Sequence, residues 1–388
     1  MTPYETFYFF FIVGLLLIPS IILGLQGKPS RKYNMFVTII MLAIIFGNSL
    51  IGSLSLIVFT IWQITLINSY MKYRKQANST LIFCLCVLLS ILPLILVKVL
   101  PFLELGNFFG FLGISYLTFK AVQMIMETRD GLVKENIPLG DLLYFLLFFP
   151  TISSGPIDRW RRFEKNNLTP PTKEEYRWYL HEGIDKIFKG FLYKFIIAYL
   201  IHHYIMMEWM SSSYFNTRPI LYYFVDMYSY SMYLFFDFAG YSAFAIGISY
   251  IMGIKTPENF NLPFISRNIK DFWNRWHMTL SFWFRDYIYM RFALWMTKKK
   301  WIKNRYTISN IGYILLFFIM GVWHGPVPHY IVYGLYHAFL IVSFDYIDRW
   351  NKKRKIYPKN TFTHVIGVIL TFNFVCFGFY IFSGHLFY

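Results

Sequence analysis

Apolar runs recur along this chain, and the short polar segments between them carry most of its bases. Spanning the hydrocarbon core of a bilayer takes about 20 apolar residues in a helix. Phe7 to Leu25 fits one span, with no base before it and Lys28, Arg31 and Lys32 after it. The positive-inside bias then places the N-terminus outside. This stretch lacks a basic leader and a small-residue cleavage site, so it reads as a retained first helix. Tyr33 to Met71 is uncharged, bounded by bases on both sides, and carries Gly47, Asn48, Ser49, Gly52 and Ser53 near its middle. It predicts two short helices turning there. Thr80 to Phe102 and Asn107 to Met126 predict two more spans. Leu142 to Ile152 is apolar but short and runs into SSGPIDRWRRF, which predicts a re-entrant or broken element; such backbone survives at membrane depth only inside protein or facing a cavity.

Residues 158 to 190 are the most polar stretch and predict an amphipathic helix at the cytoplasmic interface. Spans follow at Phe191 to Met207 and over Ile220 to Met252, the latter long enough for two broken helices. Residues 264 to 296 are dense in Trp and Phe yet carry Arg275, Arg285, Asp286 and Arg291, which suits an interfacial helix or one facing a polar cavity. Tyr306 to Phe344 has no Lys, Arg, Asp or Glu and is broken by HGPVPH, so it predicts a hairpin with an outer apex. Thr363 to Phe382 is the last span and leaves the C-terminus outside. The expectation is an all-α polytopic integral membrane protein, one membrane domain over 1–388 with about ten to twelve spans plus re-entrant and interfacial helices.

Composition agrees. Of 388 residues 56% are hydrophobic, 22% are aromatic and only 15% are charged, too few to cover a soluble fold of this size. Mean hydropathy is +0.44. Lys and Arg number 37 against 20 Asp and Glu, a net +17. In a soluble protein that excess points to nucleic acid; here the bases sit in loops between spans, so no nucleic acid is expected. Cys84, Cys86 and Cys376 each lie in an apolar run and form no metal or disulfide pattern.

The candidate chemistry is in the histidines. Ionisable groups at membrane depth are costly and mark function by default. If a helix starts at His329, His337 lies 8 residues in, about 12 Å at 1.5 Å per residue. Arg349 is 12 residues further, about 18 Å, and the total matches a core of about 30 Å. His337 is therefore expected near mid-membrane, either as a core histidine bonded to a carbonyl or as a general base. His277 in DFWNRWHMTLS shares a helical face with Ser281, and Asp271 with Arg275 makes an i, i+4 ion pair. His324 and His329 flank the GPVP break and suit an apex. His181 and Asp185 match HxxxD, a weak pattern better read as a surface pair. Asp237 lies mid-span and suits a proton relay or, better, pairing with a helix-borne Arg or Tyr. GxSxG, HExxH and P-loop patterns are absent, and no metal is expected.

Five segments occur in the order FFPTISSGPIDRW, FFDFAGYSAFAIG, NFNLPFISRNIKDFWNRWHMTLSFWFRDYIY, MGVWHG and YGLYHA. Together they resemble the membrane-bound O-acyltransferases. The likeness covers residues 105–346 as the catalytic core, with 1–104 as N-terminal helices and 347–388 as a C-terminal loop and last helix. Related acetyltransferases more often show Gln where Thr151 stands. The resemblance implies His337 as the membrane-embedded histidine and His277 as the second motif position, both catalytic, with His324, Asn274, Arg275 and Ser281 in support.

Within the family, the chain is most similar to the members that D-alanylate teichoic acid, and that resemblance, with which the short chain and Ile/Lys/Asn-rich composition agree, implies this activity in the cell membrane of a Gram-positive bacterium. The donor implied is the phosphopantetheine thioester of an acidic D-alanyl carrier protein such as DltC, on the cytoplasmic side, with no intrinsic cofactor. Other membrane proteins of D-alanylation such as DltD, teichoic acid as final acceptor, and membrane lipid complete the partners. Lys298, Lys299, Lys300, Trp301, Lys303 and Arg305 form a basic, partly aromatic loop suited to carrier docking. Three other readings stand beside this one: an O-acetyltransferase of a cell-surface polysaccharide, a transporter or flippase of an acylated carrier lipid, and an assembly scaffold.

Overall fold

A computed structural model describes residues 1–103, 110–133, 137–358 and 360–387. It is 79% helical, and no strand occurs among the described residues. The expected helix start at Asn107 and the boundary at 104–105 lie outside them.

The chain divides into two compact units, Met1–Phe191 with Gly240–Pro257, and Leu192–Ala239 with Glu258–Tyr388. The first unit holds α1 (Phe7–Leu25), α2 (Arg31–Phe46), α3 (Leu50–Gln76), α4 (Thr80–Val99), α5 (Ile114–Arg129), α6 (Leu139–Leu147), α7 (Trp160–Leu168) and α8 (Lys173–Gly190). Local sequence sets the ends. Thr6 caps α1 by accepting from the Phe9 amide at 3.3 Å, and Ser49 caps α3 from the Gly52 amide at 3.0 Å. Thr172 and Glu175 cap α8 reciprocally, satisfying amides that a helix start leaves without partners.

The turn between α2 and α3 falls at Gly47–Ser49, inside the predicted cluster, but α3 runs to 27 residues. The apolar run Asn107 to Met126 predicts a span of ordinary length; α5 is 16 residues long and buried on nearly all sides, Lys120, Gln123 and Glu127 included. Lys120 Nζ donates to the carbonyls of Phe145 at 3.0 Å and Leu146 at 3.4 Å and to Thr151 Oγ1 at 3.3 Å. It thereby occupies carbonyls that the end of α6 leaves open. This is the short apolar element before SSGP, which does break: α6 stops at Leu147 and a single 3₁₀ turn follows at Phe149–Thr151.

Two predicted divisions are corrected. The polar helix and the span after it are one helix, Lys173–Trp209, continued through π-helical turns at Phe191–Ala198 and Ile201–Trp209. Ile220 to Met252 does not form two broken helices but a single 33-residue helix, α9 (Pro219–Ile251). Its serines bond back to their own backbone, Ser231 Oγ to Met227 O and Ser249 Oγ to Ala245 O, each at 2.6 Å. These hydroxyls are thus satisfied within the helix, which length alone does not divide.

In the second unit follow α10 (Ile269–Trp273), α11 (Met278–Phe284), α12 (Met290–Lys299), α13 (Arg305–His324), α14 (Pro328–Arg354) and α15 (Thr361–Ser383). The stretch 264–296 is therefore three short helices instead of one, with a π turn at Arg285–Tyr289. The predicted hairpin and last span are present as α13–α14 and α15. Among the described residues eight helices are long and apolar enough to cross a membrane. The expected ten to twelve included α2 and α5, which at 16 residues each fall short of that length.

Candidate active site around His337

The site is built on the α13–α14 hairpin. Tyr333, Gly334, His337, Ala338 and Ile341 are the buried residues along the middle of α14, one stripe at helical spacing. A Cβ on Gly334 would lie 2.3 Å from the Phe317 carbonyl oxygen, so only glycine lets α13 come this close. Pro328 starts α14, and His337 follows nine residues later, about 13–14 Å along the axis. At the far end Arg349 lies over the Tyr306 ring at 4.5 Å, which brings the end of α14 to the start of α13.

His337 is fully buried. Tyr333 meets its ring edge-on at 4.6 Å and Trp273 at 5.1 Å, Tyr336 lies at 5.5 Å, and Phe317 stacks at 6.1 Å. From α15, a Cβ on Gly378 would fall 2.6 Å from His337 Nε2. Neither ring nitrogen has a hydrogen-bond partner among the described residues, and the same holds for the Trp273 indole N–H. The carbonyl-bonded core histidine that position alone allowed is thus not what is found. A buried imidazole with both nitrogens open, beside a ring whose indole N–H is also open, costs free energy unless something else uses those groups.

His277 stands in the break between α10 and α11. Its backbone is left-handed (φ 40°, ψ 52°), a region that strains a residue with a side chain. The strain is held by residues 259–261. The Met278 amide donates to Asn259 O at 2.8 Å and the Asn261 amide to Arg275 O at 2.9 Å, while Thr279 Oγ1 donates to Asn259 Oδ1 at 2.6 Å. His277 is buried against Phe238 at 4.7 Å, and its Nε2 has no partner among the described residues. His324, at the end of α13, lies within electrostatic reach of His277 and 6.2 Å from the Tyr333 ring. Three histidines from the sequence reading are therefore neighbours of one aromatic cluster, though His277 is a break residue and not the face partner of Ser281.

The other predicted residues have local partners. Asp271 receives Arg275 Nε at 2.9 Å and Arg267 Nε at 3.5 Å. Partial burial would raise its carboxyl, but these donors hold it below the usual aspartate range. Arg275 also donates to Asn261 O at 3.3 Å, Asn274 is exposed, and Ser281 Oγ donates to Trp276 O at 3.1 Å. His181 and Asp185 are an exposed pair 3.8 Å apart. Asp237 pairs with Lys194 at 2.5 Å, beside the Phe238 that contacts His277. Lys298 and Lys299 end α12, Lys300 is left-handed, and Trp301 is exposed against Trp295 at 5.0 Å. No group of three or more His, Cys, Asp or Glu suited to a metal occurs among the described residues.

Sequence reasoning missed Trp273, Tyr333, Tyr336 and Gly378. Trp273 and Tyr333 each precede a motif histidine by four residues, a usable signal; Gly378 carries none. Lys270, one turn before Trp273, pairs with Asp345 on α14 at 2.5 Å and lies 5.0 Å over Tyr313. Replacing Lys270 by Met leaves a mostly buried carboxylate without its cation. The expected cost lies between about 1 kcal/mol for exposed pairs and about 3 kcal/mol for buried ones, with Lys270→Arg close to wild type. Thermal unfolding in detergent measures it; a Met variant as stable as wild type refutes the pairing role.

Residues 132–387 match the family model described as MBOAT, the membrane-bound O-acyltransferase family. The chain is 61% identical over 391 residues to a teichoic acid D-alanyltransferase of Bacillus subtilis (strain 168), covering 99% of this chain and 98% of that protein. It is 44% identical to a teichoic acid D-alanyltransferase of Lacticaseibacillus rhamnosus, over all of this chain and 98% of the relative. A probable alginate O-acetylase AlgI of Pseudomonas aeruginosa is 30% identical over 58% of this chain and 41% of its own length. This chain belongs to the membrane-bound O-acyltransferase family. It is a multi-pass membrane acyltransferase.

Proposed function

We propose that this acyltransferase moves D-alanine from a carrier-protein phosphopantetheine thioester on the cytoplasmic side to a hydroxyl acceptor, in the D-alanylation of teichoic acid. Full-length similarity to two proteins named teichoic acid D-alanyltransferase supports the substrate class. The observation that carries the mechanism is the wholly buried His337 with both ring nitrogens open beside the Trp273 indole.

His337 accepts the acceptor hydroxyl's proton as the oxygen attacks the thioester carbonyl. Trp273 N–H or His277 Nε2–H donates to the oxyanion that develops. The C–S bond then breaks, the ester remains on the acceptor, and the thiolate leaves with the proton from His337. Charge is neutral before and after, and a thioester is activated enough to react without an acyl-enzyme. Orientation follows the loop charges: both termini outside, the Lys298–Arg305 loop inside, the thioester arm reaching His337 from the basic end of α13 and α14, and the acceptor from the Pro328 end.

Purified protein incubated with D-alanyl carrier should release free thiol only when acceptor is present. Export of an acylated lipid without thioester loss, or acetyl transfer with no D-alanyl transfer, refutes the reading in favour of a transporter or a polysaccharide acetylase. Reversing Lys298, Lys299 and Lys303 to Glu should raise the KM for carrier by on the order of tenfold and flatten its salt dependence, with kcat unchanged. An unchanged KM at low salt rules out this loop as the landing site.

A further inference from the structure

A second polar site lies in the first unit. Where α1 ends and α2 begins, a cavity of about 170 Å³ opens between Lys28, Arg31, Tyr144, Asn166 and Asn167. Lys28 and Arg31 are the only charged side chains that line it among the described residues. Arg31 is bound to Asp141, which leaves Lys28 as the uncompensated charge. The first turn of α2 adds the positive end of a 16-residue helix, and its cap residue, Ser30, makes no capping bond through its side chain. Tyr144 is 3% exposed, and its hydroxyl has no hydrogen-bond partner among the described residues. Asn167, 7% exposed, gives its amide to Asp141 at 3.2 Å and leaves its Oδ1 open. The cavity thus offers a cation, a helix N-terminus and a phenol donor to an anion, and an amide acceptor to a hydroxyl.

Its surroundings say what kind of anion. Leu15, Ile18, Ile22 and Leu25 form one exposed apolar stripe along α1 that ends at this cavity. A stripe of that kind in a spanning helix faces acyl chains, and basic residues just beyond it stand at headgroup level. We propose that this cavity binds a phosphate group, that of an anionic phosphoglycerol lipid: phosphate on Lys28, the start of α2 and Tyr144, glycerol hydroxyl on Asn167 Oδ1, and an acyl chain along the α1 stripe.

Native mass spectrometry of the full chain released from nanodiscs of equal phosphatidylglycerol and phosphatidylcholine tests it. Phosphatidylglycerol is retained over phosphatidylcholine, Lys28→Gln lowers its retention about fivefold, the worth of one basic contact at an anionic headgroup, and Tyr144→Phe, which removes a hydrogen-bond donor, lowers it as well. Lys28 is exposed, so its variant keeps the fold, which a matched melting temperature verifies. A second arm titrates inorganic phosphate into delipidated protein. Saturable phosphate binding lost in the same variants, without preference between the lipids, assigns the same pocket to free phosphate. Phosphatidylglycerol retention unchanged in both variants, or equal retention of both lipids with no variant-sensitive phosphate binding, overturns the proposal.

Discussion

Alanine at position 337 should abolish D-alanyl transfer while leaving the protein in the membrane. His337 is the one imidazole that is fully buried on a spanning helix with both nitrogens open among the described residues. General-base catalysis contributes about 10²- to 10⁴-fold, so kcat in His337→Ala should fall by at least about a hundredfold with the KM for carrier little changed. Removing a ring wedged between Tyr333, Trp273 and Gly378 also opens a cavity. His337→Gln, which keeps volume and hydrogen bonding but is no base at neutral pH, separates the two effects. It should be as inactive as Ala and more stable. Transfer at near wild-type rate by either variant, at equal expression, removes His337 from the mechanism.

A methyl group placed on Gly378 should do almost as much harm from a different helix. Its Cβ would lie 2.6 Å from His337 Nε2, 3.2 Å from Cε1 and 3.3 Å from a ring carbon of Tyr336. The imidazole has no slack, since aromatic rings occupy its other sides. Either α15 withdraws, at a cost of about 1–3 kcal/mol for overpacking, or the ring turns. A shift of about 1 Å in a catalytic group costs on the order of a hundredfold in rate. Gly378→Ala should therefore lower kcat by tenfold or more, and Gly378→Val further, while Gly384→Ala, beyond the end of α15, leaves the rate unaltered. Equal turnover in Gly378→Ala and wild type would show that the ring position is immaterial.

Much of the architecture was legible as periodicity and charge. α1 spans the predicted residues, and the Gly47–Ser53 cluster does turn the chain. The HGPVPH break does divide α13 from α14. These are local properties: apolar length, a cap, or a proline at a helix start acts within one turn. His337 could be found the same way, because its depth needs only the rise per residue and the next basic residue. The residues misread were those whose polar groups are answered from elsewhere in the fold. The run Ile220 to Met252 is long enough for two broken helices, yet it forms one helix whose serines are back-bonded within it. WNRWH looked like continuous helix, and residues 259–261 hold it open.

His337 and His277 belong to patterns that the linear order of residues carries, down to the helix that bears the first. Their surroundings do not. Gly378 is 41 positions beyond His337, and no periodicity couples them; only the packing of α15 on α14 sets that glycine against the imidazole. Trp273 reaches His337 from a short helix that Lys270 and Asp345 tie to α14. The left-handed turn at His277 costs energy on its own and exists because Asn259 and Asn261 complete its hydrogen bonds. Helix formation and burial depth depend on near neighbours and composition. The meeting of His337 with Trp273 and Gly378 depends on contacts between distant segments, which come into being only when the chain has packed.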